Sequence, residues 1–72
     1  MDVGEDLKHE TEKWLKKAKE KRKDFPDGKH TKNIDAYISD SQHFMKKGDL
    51  VRAFEAVIWA WAWMEILEEL EK

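Results

Sequence analysis

Nine consecutive residues, Ala56 to Met64, read Ala, Val, Ile, Trp, Ala, Trp, Ala, Trp, Met and carry no charge. Wound as an α-helix at 100° per residue, this segment and its flanks put Leu50, Phe54, Val57, Trp61 and Met64 on one side. Ala56, Trp59, Trp63, Leu67 and Leu70 fall nearly opposite. A helix that is apolar on two sides has to be covered on two sides. In a chain of 72 residues the cover comes from two further helices or from another chain. A membrane does not fit: nine residues rise about 14 Å, less than half a bilayer's hydrocarbon core, and Arg52, Glu55 and Glu65 bracket the run.

The rest of the chain divides at two breaks. Asp24, Phe25, Pro26, Asp27 and Gly28 form the one stretch that combines Pro with Gly, and it reads as a turn. Lys46, Lys47, Gly48 and Asp49 read as a helix end: cations in the last turn, Gly where left-handed geometry is needed, then Asp as cap of the next helix. No segment alternates with period two, and β-branched residues are few. The predicted fold is an all-α, up-down-up three-helix bundle in a single domain over residues 1–72, with helices near 4–24, 30–47 and 49–70. Ile34, Tyr37, Ile38, Ser41, Phe44 and Met45 make the inner stripe of the middle helix. The first helix has a thinner one, Val3, Leu7, Thr11, Trp14, Leu15 and Ala18. The expected arrangement lays the second helix on the Val57 and Trp61 side of the third, and the first helix on the Trp59 and Trp63 side.

Charge supports this topology. From Lys13 to Lys23 there are seven cations and one anion, whereas Glu65, Glu68, Glu69 and Glu71 make the end of the third helix acidic. Parallel first and third helices bring these ends together, and the reversed orientation would gather like charges. The chain has no Cys, and Asn33 and Gln42 are its only side-chain amides, a bias seen in proteins of hot environments. Met1 is followed by Asp2, Glu5 and Asp6 rather than by a basic and apolar leader, so the expected location is the cytoplasm.

The hairpin about Gly48 and Asp49 resembles a tetratricopeptide helix pair, with Tyr37, Ser41 and Phe44 facing Ala53, Val57 and Ala60. It departs from that pattern at Asp40 and Glu65 and has one copy, so the likeness is one of packing geometry. The chain also resembles a small archaeal family catalogued as domain of unknown function 357. That likeness rests on Tyr37, Asp40, Phe44, Gly48, Asp49, Ala53 and the stretch Trp59 to Trp63 followed by Glu65, thus on residues 37–65. It implies a three-helix bundle and no assigned activity.

No residue pattern points to catalysis. The three His, at positions 9, 30 and 43, pair with acids only two at a time, short of a metal site, and no Gly-rich loop is present to cradle a phosphate. No cofactor is expected. Asp40, beside the apolar stripe, is read as a partner for Tyr37, Lys47 or Arg52, so Tyr37, Asp40 and Arg52 form a candidate polar seam. Lys16, Lys19, Lys21, Arg22 and Lys23 form a basic patch, the basis of an alternative reading as a weak nucleic-acid binder. A net charge of -2 argues against it. The leading expectation is a non-catalytic interaction or structural module, self-associating or binding another protein through Trp59, Trp63, Leu67 and Leu70.

Overall fold

The computed structural model describes residues 3–70. Three helices follow one another, α1 (Val3–Asp24), α2 (Thr31–Lys47) and α3 (Leu50–Leu70), in an all-α bundle. Lys21 near the end of α1 lies 2.5 Å from Glu68 and 3.9 Å from Glu65 near the end of α3, so these two helices run parallel, as their charges require.

α3 is the middle of the molecule. Its buried line is Ala53, Ala56, Val57, Ala60 and Met64, and this line packs with Ile34 and Ile38 of α2 and with Leu15 and Ala18 of α1. Small residues on α3 let α2 come close. The fully buried Ser41 donates its hydroxyl hydrogen to the Ala53 carbonyl at 2.6 Å, which satisfies the hydroxyl and ties the two helices. Thr11, also fully buried, solves the same problem locally by donating to the Leu7 carbonyl one turn back at 2.7 Å.

The turns follow from their own residues. At the end of α2, Gly48 takes φ 80° and ψ 10°. Its N–H donates to the Met45 carbonyl at 3.1 Å and the Asp49 N–H to the Phe44 carbonyl at 2.9 Å, the paired bonds of a Schellman motif. Asp49 then caps α3, accepting the Arg52 N–H at 3.2 Å. The start of α2 lies one residue later than the sequence suggested. His30 stands at the cap position without a side-chain cap bond, and Thr31 fixes the turn that leads into the helix. Its hydroxyl accepts the Gly28 N–H at 3.2 Å and donates to the Gly28 carbonyl at 2.9 Å.

The tryptophans correct the expected cover of α3. Trp61 turns to α1, where it meets Trp14 edge-on at 5.3 Å between ring centroids. Trp63 turns to the head of α2 and stacks on His30 at 5.4 Å with 22° between the ring planes. Trp59 is covered by neither helix. The reason is geometric: the alanines mark the direction of the core, and Trp61 and Trp63 flank that direction on opposite sides.

A Cβ on Gly48 would meet nothing within 4 Å, so substitution there costs backbone strain alone. Gly48→Val should lower stability by about 1 to 2 kcal/mol and Gly48→Asn by clearly less, because Asn tolerates left-handed geometry. Asp49→Ala should cost about 0.5 to 2 kcal/mol. Denaturant midpoints of the three variants check the ranking.

Candidate functional site

α3 has a third face, pointing away from both neighbours. At 100° per residue, Val51, Trp59, Ala62, Ile66 and Leu70 fall within an arc of about 100° turned away from the core line, interleaved with the exposed Arg52, Glu55 and Glu69. Val51 is 60% exposed, Trp59 57%, Ile66 49% and Leu70 75%. From Val51 to Leu70 the helix rises about 28 Å, so the stripe covers on the order of 300 Å², the size at which apolar patches on soluble proteins are often functional. No helix of the described residues is long and apolar enough to cross a membrane.

The residues expected from sequence divide across this geometry. Trp59 and Leu70 lie on the outer stripe, whereas Trp63 and Leu67 are partly buried against the core. Leu67 closes a small cavity of about 230 Å³ with Phe25, Pro26 and His30 at the α1–α2 turn. Sequence reasoning missed Val51 and Ile66. The signal was present in their helical spacing, but the strong aromatic run drew the eye to a different face.

The expected polar seam does not assemble. Asp40 is exposed, and among the described residues no hydrogen bond or ion pair joins it to Tyr37, Lys47 or Arg52. Tyr37 packs against the core cluster. Arg52 stays on its own side, 3.5 Å from Asp49 and with its guanidinium over the Phe44 ring at 5.9 Å. The seam between α2 and α3 is made by Ser41 instead, since two closely approaching helices leave no room there for a carboxylate and a guanidinium.

The basic patch is partly spent inside the molecule. Arg22 donates to Asp35 through Nε at 2.7 Å and Nη2 at 3.2 Å, to Asp27 through Nη2 at 2.7 Å and to the Phe25 carbonyl through Nη1 at 3.1 Å. The carboxylates, Asp35 first and then Asp27, raise the guanidinium's pKa further above its ordinary value. Lys21 pairs with Glu68 and lies over the Trp61 ring at 5.0 Å. Lys16, Lys19 and Lys23 remain exposed, the last two on a groove of about 320 Å³ between α1 and α2 whose other walls include Ile38, Ser39 and Gln42. Among the described residues no three His, Asp or Glu come together as a metal site.

Comparison with known proteins adds a relationship. A family model described as "Protein of unknown function (DUF357)" matches residues 5–72, so the likeness read over residues 37–65 extends through α1 as well. The chain is similar to a protein from Archaeoglobus fulgidus whose crystal structure carries the same family model, at 52% identity and a TM-score of 0.89. The match covers 99% of this chain and 95% of that one. No curated protein matches the chain.

Arg22 holds the α1–α2 turn with a planar fork that Lys cannot reproduce. Because its partners are half or more exposed, Arg22→Lys should cost only about 0.5 to 1 kcal/mol. Hydrogen exchange should nevertheless quicken at residues 25–31 and stay unchanged in the middle of α3.

Proposed function

We infer, for a chain that belongs to the DUF357 family of proteins of unknown function, that it works as a non-catalytic interaction module whose docking surface is the outer face of α3. One observation carries this reading: four large apolar side chains, Val51, Trp59, Ile66 and Leu70, stand exposed in register along a single helix face. The core is already complete without them, built from Val57, Ala60 and Met64 against α1 and α2. Keeping such a row in water has no structural return, and rows of this kind in helix-in-groove or helix-pair contacts act as the anchors. Trp is the residue type most enriched at the energetic centre of interfaces, and Trp59 sits near the middle of the stripe.

The nucleic-acid reading draws less support. Two of its five cations, Lys21 and Arg22, are committed to acidic partners within the chain.

A photo-crosslinking side chain placed at Trp59, in cells of the native host, should yield a discrete protein adduct. The same group at Ser39, exposed on α2, should not. Equal labelling at the two positions, or none at residue 59, overturns the reading. Trp59→Lys should fold with stability within about 0.5 kcal/mol of the parent, as expected for a surface position, and a thermal melt checks that this face is not part of the core.

A further inference from the structure

The cations near the end of α1 divide into those the fold uses and those it does not. Lys21 reaches Glu68, and Arg22 is held by Asp35 and Asp27. Among the described residues no ion pair holds Lys19 or Lys23. One helical turn apart, these two lysines share a wall of the groove of about 320 Å³ between α1 and α2. Ser39 and Gln42, on successive turns of α2, line the other wall. The accessible lining is mostly hydrocarbon, with Ile38 and the methylene stems of the lysines beneath their charged heads.

We propose that this groove binds a small organic anion, a carboxylate with a short hydrocarbon body. Its volume falls at the lower end of the range of small-molecule sites, which are mostly apolar with a few polar groups that fix the ligand's orientation. The carboxylate sits between the Lys19 and Lys23 ammonium groups, and the hydrocarbon body lies on the apolar lining. The Ser39 hydroxyl and the Gln42 amide supply donors to further ligand oxygens. Asp35 also lines the groove, but the Arg22 fork neutralises its carboxylate, so it does not repel an anion. The chain's net charge of -2 disfavours anions over the rest of the surface and leaves this cleft as the place that gathers them. A polyphosphate fits less well, because the forked donor of Arg22 is already spent and no Gly-rich loop cradles a phosphate. The site is independent of the outer face of α3, and the failure of either reading leaves the other standing.

NMR titration of the isotope-labelled full chain with octanoate tests the site. Amide shifts should gather at Lys19, Lys23, Ser39 and Gln42, with half-saturation at roughly a millimolar or below for a ligand of this size. Octanamide keeps the body without the charge, and acetate keeps the charge without the body. Each should bind at least about tenfold more weakly than octanoate. Lys19→Gln combined with Lys23→Gln should weaken octanoate binding about tenfold, and the same pair changed to Arg should keep it. Lys47→Gln removes one charge at an exposed position away from the groove and should change nothing. Lys19 and Lys23 are exposed as well, so a thermal melt should show every variant folded. Shifts gathered at Trp59 and Ile66 overturn the proposal, since octanoate would then be a ligand of the outer face. So does octanamide binding as tightly as octanoate. Acetate or inorganic phosphate matching octanoate would leave an adventitious ion only, and no shift at about 10 mM octanoate would leave no site.

Discussion

The contact on which the bundle depends is the hydroxyl of Ser41 against the carbonyl of Ala53, at 2.6 Å. It exists because both positions are small and fully buried, so the backbones of α2 and α3 approach closely and the hydroxyl has an acceptor within reach. That close approach draws Ile34 and Ile38 over the alanine line of α3 and leaves the opposite flank, with Trp61, for α1. Trp63 and Leu67 pack at the head of α2, and the face of α3 that carries Val51, Trp59, Ile66 and Leu70 is left to water. A larger residue at either position would lever the two helices apart and tilt the platform on which α1 rests.

Two helices around a third cannot enclose it. α1 and α2 each press on α3 far more than on one another, which opens the groove lined by Lys19, Lys23 and Ser39 on one side. On the other side the outer face of α3 is left bare. The bare face follows from the number of elements, but its chemistry does not. An ordinary solvated helix would be polar there throughout, whereas this chain sets Val51, Trp59, Ile66 and Leu70 among Arg52, Glu55 and Glu69. The angular spread of apolar residues around α3 is therefore wider than its own bundle uses.

Much of the fold was legible in the sequence because its signals were local. Gly48 followed by Asp49 announces a left-handed end and a cap within two residues, and the structure has both. The charge gradient that brings Lys21 to Glu65 and Glu68 was legible for a different reason, since it depends on which helix ends meet and on no detail of packing. What failed was long-range or angular. Arg22 finds Asp35 at thirteen positions' remove, a distance at which no spacing rule applies. Alternating tryptophans at 59, 61 and 63 step round the helix by about 200° each time, so three similar residues meet three different surroundings. The smaller residues between them were the better guide, because only they allow backbone contact. The candidate surface was half seen for the same reason: Trp59 and Leu70 were picked out by type, while Val51 and Ile66 are recognisable only once the core direction is known.

The narrow seat of α1 shapes how the molecule comes apart. Its buried residues are Thr11, Leu15 and Ala18, and of these only Leu15 is a large apolar group. The α2–α3 hairpin by contrast keeps its Schellman turn, its Ser41 bond and most of the apolar core when α1 is taken away. A helix held by so few buried side chains is the element of lowest local stability, and the Trp61 ring is what its seat covers. The Trp14 and Trp61 edge contact, at the middle of α1, thus supplies aromatic cover that the thin apolar stripe of that helix otherwise lacks.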